Sequence, residues 1–92
     1  MINIDSLVLT TPDIQKKIAK NFAKRRKEHK LTQRQISEFS GVPVPSIKKF
    51  EQSGEISLKS LVKLSRAMEY EDELLKLFTT PYYTNIEDML NE

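Results

Sequence analysis

Apolar residues recur along this chain at every third or fourth position, in blocks separated by glycine, proline and short polar stretches, which is the periodicity of amphipathic helices. Thr11-Pro12-Asp13 reads as a helix start with proline at the first helical position. Ile14, Ile18 and Phe22, with the small Ala19 and Ala23, form the inner stripe of a helix that runs to about His29. Thr32 is placed to cap a second helix, because its hydroxyl can accept one of the unpaired N–H groups at the helix start. Ile36 and Phe39 share one face of that helix. Gly41 follows Ser40, where a helix commonly closes on a residue at positive φ, a conformation glycine takes without steric cost. After Val42, Pro43 opens a third helix with Ile47 and Phe50 as its apolar positions, and Gly54 closes it. A fourth begins near Ser57 and buries Leu58, Leu61, Leu64 and Met68. A fifth, from Asp72 to Phe78, offers Leu74, Leu75, Leu77 and Phe78 before Pro81 stops it.

Outside these blocks the pattern weakens. Residues 2 to 9 alternate loosely, with Ile2 and Ile4 on one face and Leu7 and Leu9 on the other, as either a short strand or a flexible arm. The tail PYYTNIEDMLNE holds a short amphipathic piece, Ile86, Met89 and Leu90. The expected architecture is all-α: an N-terminal arm over residues 1–11, five short helices around one core over 12–80, and a C-terminal tail over 81–92.

Composition narrows the chemistry. Ninety-two residues make one small domain with a modest core and no separate substrate domain. Cysteine is absent, so neither disulfides nor thiolate metal sites are available. The single histidine, His29, leaves no histidine-pair zinc motif and reads as a capping or surface group. No nucleophile stands in a recognisable catalytic motif and no phosphate loop is present, so neither an enzyme nor a cofactor or metal requirement is expected. Apolar runs fall far short of a membrane span, and MINIDSLVLT lacks the basic start and long apolar stretch of a signal peptide. The expectation is a soluble cytoplasmic protein.

The second and third helices carry the functional signal. Joined by so short a link, they must cross at a steep angle, and the second of the pair can then lie in the major groove of DNA. The net charge of +2 conceals an asymmetry that agrees with this. From Pro12 to Phe50 there are eleven Lys/Arg against three acids, whereas from Glu51 to Glu92 there are four against nine. A basic half that also contains the helix pair is the electrostatic footprint of phosphate contact, although a run such as KRRKEHK also fits a solvated helix face.

The stretch from Phe22 to Phe78 resembles the lambda-repressor-like, Xre/Cro-type helix-turn-helix domain of bacterial and phage regulators. The residues that carry the likeness are Arg26, Leu31-Thr32-Gln33, Ile36, Gly41-Val42, Ser46-Ile47, Glu51 and the Leu58/Leu61/Leu64 helix. The resemblance implies a sequence-specific regulator, a repressor acting on double-stranded DNA, in the cytoplasm and associated with the nucleoid. It implies that Gln33 clamps a phosphate and braces the reading helix. It also implies that Arg26 and Glu51 form a partly buried structural ion pair between the first and third helices. Arg26 continues the Ile14–Ile18–Phe22 stripe, which is consistent with that role.

At the base-reading positions the chain departs from its relatives. Where the family usually places Gln, Ser or Thr, this sequence has Val44 and Pro45, which can pack on a thymine methyl but cannot hydrogen-bond a base edge. Polar readout falls to Ser46, Lys48 and Lys49, with Lys49 the expected base contact and Lys48 a base or backbone contact. Lys24, Arg25, Lys27, Lys30 and Arg34, together with Gln33, are the candidate phosphate contacts. Successive positions on the first helix point about 100° apart, so only two or three of its cations can face one duplex.

Such modules usually act as symmetric homodimers on inverted-repeat operators, with half-sites about one helical turn apart. The dimer contact would come from the Ile2–Leu9 arm, the Leu74–Phe78 helix or the Tyr82–Leu90 tail. FEQSGEISLKSLVKL, the following Leu-Phe and the TNIEDML tail also resemble HipB-like antitoxins, which implies a HipA-type kinase toxin as partner. The alternatives are a free-standing repressor and an RNA- or protein-binding coactivator of the same fold. Single-strand binding would need exposed aromatics, for which Tyr82 and Tyr83 are the candidates.

Overall fold

The computed structural model describes residues 8–82 together with Ile86, Leu90 and Asn91. Within them the chain forms α1 (Thr11–Glu28), α2 (Gln33–Ser40), α3 (Val44–Ser53), α4 (Leu58–Ala67) and α5 (Glu71–Leu75). The loose alternation at Ile2, Ile4 and Leu7, and Met89 and Tyr83 of the tail, lie outside the described residues.

Each helix start has a local cause. Thr10, one residue earlier than the sequence pattern suggested, caps α1: its hydroxyl accepts the Asp13 N–H while the Asp13 carboxylate accepts the Thr10 N–H. Thr32 and Gln35 form the same reciprocal box at α2, with Thr32 N–H donating to the Gln35 side-chain oxygen at 2.8 Å. Ser57 caps α4 by accepting the Ser60 N–H. Gly41 and Gly54 end α2 and α3 at φ +78° and +82°, each donating its N–H back one turn. Gly54 has a second reason to be glycine. A Cβ there would lie 2.6 Å from the Gln15 carbonyl carbon of α1, so the end of α3 passes directly over the start of α1.

The core is built from α1 (Ala19, Phe22), α2 (Ile36), the turn (Val42), α3 (Ile47, Phe50) and α4 (Leu64, with Met68 just past its end). Phe22 and Phe50 pack with ring centroids 5.4 Å apart, tilted by 55°, joining α1 to α3. Burying a side chain such as Phe50 or Leu64 contributes about 1.5–3 kcal/mol. Leu31, Ile56, Leu61, Ala67 and Tyr70 close the periphery. His29 caps α1 and meets the Tyr70 ring edge-on at 5.9 Å.

Periodicity misplaced several apolar residues. Ile14 and Ile18 are exposed, and the buried stripe of α1 is instead Ala19, Phe22 and Arg26. That stripe starts where α3 crosses, and Gly54 lets the backbones approach so closely that small residues suffice there. Phe39 is 66% exposed, because α2 is anchored through Ile36 and is too short to turn a second large side chain inward. Leu58 is 68% exposed: it opens α4, and the inward face of that helix begins at Leu61. The fifth helix is a little over one turn, Glu71–Leu75, and only Leu74 of its apolar set is half-buried.

Candidate nucleic-acid interface

Three segments are tied together at the base of α3 by one arginine. Arg26 Nε donates to Glu51 Oε2 at 2.7 Å and Nη2 to Glu51 Oε1 at 2.9 Å, a two-pronged pair with side-chain exposures of 9% and 10%. Its remaining Nη1 donates to the Leu31 carbonyl at 2.7 Å, which fixes the α1–α2 turn. Gln33 Nε2 donates to Glu51 Oε1 at 3.2 Å, linking the first residue of α2 to the same carboxylate. With α1, the turn, α2 and α3 all held by these contacts, the orientation of α3 is set by the bonds of Glu51 as well as by Ile47 and Phe50.

Burial of Ile47 and Phe50 defines the opposite face of α3. Pro45, Lys48, Lys49 and Gln52 lie on it and are all exposed; Val44 and Ser46 flank it half-buried. Gln52 was not among the residues expected to read DNA, yet it follows Lys48 by one helical turn and Pro45 by two, so the spacing would have found it. It adds an amide that can both donate to and accept from a base edge.

The two lysines differ. Lys48 makes no ion pair among the described residues. Lys49 Nζ lies 3.2 Å from Glu55 Oε2, with side chains 66% and 61% exposed. Ser53 arranges this: its hydroxyl donates to the Lys49 carbonyl at 2.6 Å and accepts the Glu55 N–H at 3.2 Å, turning Glu55 back toward α3. Lys49, the expected base contact, therefore rests on a carboxylate of its own chain. An exposed pair of this kind is worth little, about 0–1 kcal/mol, so a phosphate or base edge can displace Glu55. An open groove of about 340 Å³ runs beside Lys49, walled by Ser46, Glu55, Ile56, Ser57 and Ser60.

The candidate phosphate contacts are not on one surface. Arg34 is exposed at the first turn of α2, beside half-buried Gln33, and Lys27 and Lys30 are exposed at the end of α1 that leads into it. Lys30 adopts φ +57°, so the chain reverses sharply there. Lys24 points about 200° around α1 from Arg26, on the side turned away from α3. Arg25 is engaged with Glu28 at 3.0 Å and lines a cleft that Tyr70 and Leu74 also line, on the α4–α5 side.

The described residues contain no cluster of groups suited to a metal ion and no helix long and apolar enough to cross a membrane. A model of the helix-turn-helix family matches residues 22–75, from Phe22 in the middle of α1 through every helix after it. No curated protein matches the chain.

Proposed function

This chain belongs to the lambda-repressor-like helix-turn-helix family of DNA-binding transcriptional regulators, and from that premise we propose that it is a repressor that reads an inverted-repeat operator as a homodimer. The observation that carries this reading is the outer face of α3, where Pro45, Lys48, Lys49 and Gln52 stand clear of a core that anchors Ile47 and Phe50 on the other side. Val44 and Pro45 pack on thymine methyls, Lys48, Lys49 and Ser46 address base edges, and Gln52 extends that row. Gln33 and Arg34 at the start of α2, with Lys27 and Lys30, contact phosphates and fix the register. Lys24 and Arg25 contribute to the general positive potential without touching the same duplex.

Two apolar reading positions and a lysine already paired with Glu55 support modest sequence discrimination, with a large share of affinity coming from phosphate contacts. The direct test is a gel shift with DNA from upstream of the protein's own gene against random duplex, at two salt concentrations. Preference for the upstream DNA that persists at the higher salt supports the repressor reading. Equal affinity for both leaves a nonspecific binder.

A narrower form of this reading makes the protein the autoregulating antitoxin of a HipA-type kinase toxin. Its support is the segment Phe50–Leu64 and the motif TNIEDML, which resemble HipB-like proteins. A kinase-like toxin encoded beside this gene is required; without one, the free-standing repressor stands.

A further inference from the structure

The turn after α3 brings a carboxylate back beside one lysine of the outer α3 face. Gly54, at φ +82°, reverses the chain, and the Ser53 hydroxyl bridges the reversal by donating to the Lys49 carbonyl and accepting the Glu55 N–H. Glu55 Oε2 thereby stands 3.2 Å from Lys49 Nζ, with both side chains largely exposed. Lys49 and Glu55 also wall the same open groove, so a ligand approaching that side of α3 can reach both tips. Glu55 singles out Lys49: the neighbouring Lys48 makes no ion pair among the described residues. Turned toward DNA, a carboxylate is repelled by every phosphate, so it weakens binding to any duplex unless a base edge gives it a hydrogen bond.

We propose that Lys49 and Glu55 together read one G·C base pair in each half-site, and its strand orientation, with Lys49 donating to guanine O6 and N7 while Glu55 accepts from cytosine N4. In the major groove guanine O6 is an acceptor and cytosine N4 a donor. Those two atoms are hydrogen-bonded to each other and so lie about 2.9 Å apart, close to the 3.2 Å between Lys49 Nζ and Glu55 Oε2. The side-chain pair therefore complements the base pair in spacing and in polarity, and docking exchanges one donor–acceptor contact for two. A reversed C·G pair sets donor against Lys49 and acceptor against the carboxylate, which is unfavourable on both sides. A T·A pair keeps the favourable order, thymine O4 to Lys49 and adenine N6 to Glu55, but lacks the second acceptor that guanine N7 supplies. Lys49 alone reaches phosphate as easily as guanine, and the Gln52 amide can donate or accept. An ionised Glu55 can only accept, which is what makes the orientation legible.

Because this deepens the repressor reading and rests on it, the test separates the two. Duplexes with a randomised centre are selected for binding to the full chain and sequenced. Wild type should show, once per half-site, a G·C pair favoured over C·G at least about ten-fold, with T·A between them. Glu55→Gln should flatten that one position, since its amide can donate as well as accept, and leave the other positions as they were. The exchange Lys49→Glu/Glu55→Lys should turn the preference to C·G. Ser53→Ala, which removes both bonds that aim Glu55, should soften the same position. Variants at Lys49 and Glu55 should keep the wild-type melting temperature, because both side chains are exposed. A wild-type chain that selects no motif would overturn the repressor reading and this pairing with it. A motif that lacks an oriented G·C pair, or that Glu55→Gln leaves unchanged at every position, would overturn the pairing alone.

Discussion

Arg26 and Glu51 meet through two parallel hydrogen bonds of 2.7 and 2.9 Å, and this pair connects α1 to α3. Both side chains are nearly excluded from water, so neither can regain solvation if its partner is removed. Glu51→Ala should therefore cost about 3–5 kcal/mol in denaturant unfolding, chiefly through the stranded guanidinium. The double variant Arg26→Met/Glu51→Leu should cost clearly less than Glu51→Ala alone, because no charge remains buried. A Glu51→Ala protein of normal stability would mean that the pair is not holding α3.

Gly41 and Gly54 share a backbone conformation but not a neighbourhood, and alanine substitution separates the two effects. At Gly41 an added Cβ meets nothing within 4 Å, so Gly41→Ala should cost about 1–2 kcal/mol from positive φ alone. At Gly54 the same Cβ would lie 2.6 Å from the α1 backbone, so Gly54→Ala must also push α1 and α3 apart. Thermal unfolding should rank Gly54→Ala well below Gly41→Ala. Equal melting temperatures would contradict the close approach of the two helices.

Hydrogen bonds from the Thr10 backbone N–H, then from the Thr10 side chain, and more weakly the charge of Lys16, hold the Asp13 carboxyl below its ordinary pKa of 3.8. A depressed carboxylate contributes stability that is fully present above the ordinary value and is lost as pH falls through the folded one. Backbone chemical shifts at the start of α1 should thus move toward coil values only below about pH 3.8. Asp13→Asn should abolish that acid-side change while leaving the α2–α3 segment unaffected.

Lys49 and Arg34 should separate specificity from affinity. Lys49→Ala should lower the ratio of operator to random-duplex affinity. Arg34→Ala should weaken both alike and reduce the slope of log affinity against log salt by about one unit. Glu55→Gln, which releases Lys49, should tighten binding to both duplexes at low salt and lose that advantage as salt rises. Salt titrations of the three variants against the two DNAs check all of these outcomes.

Much of the fold was legible because its signals are local. Thr32, Gly41, Ser57 and Gly54 mark helix ends through hydrogen-bonding and φ requirements that act within a few residues. Ile36, Ile47, Phe50 and Leu64 fall where helical spacing puts them. Misplacements occurred where burial depends on which helix lies opposite. Ile14, Ile18, Phe39 and Leu58 have the right spacing, but no neighbour covers them. Of the candidate interface, the exposed face of α3 follows from spacing alone, and Gln52 belonged on that face by the same logic. The pairing of Lys49 with Glu55 did not, because it depends on the turn built by Ser53 and Gly54.

The central claim is that the outer face of α3 enters the groove of duplex DNA. Amide chemical-shift mapping of the isotopically labelled protein during titration with its upstream duplex tests this most directly. The largest changes should fall on Val44–Gln52 and on Gln33–Arg34, with α5 nearly silent. Changes concentrated on α4 and α5 while α3 stays silent would contradict it.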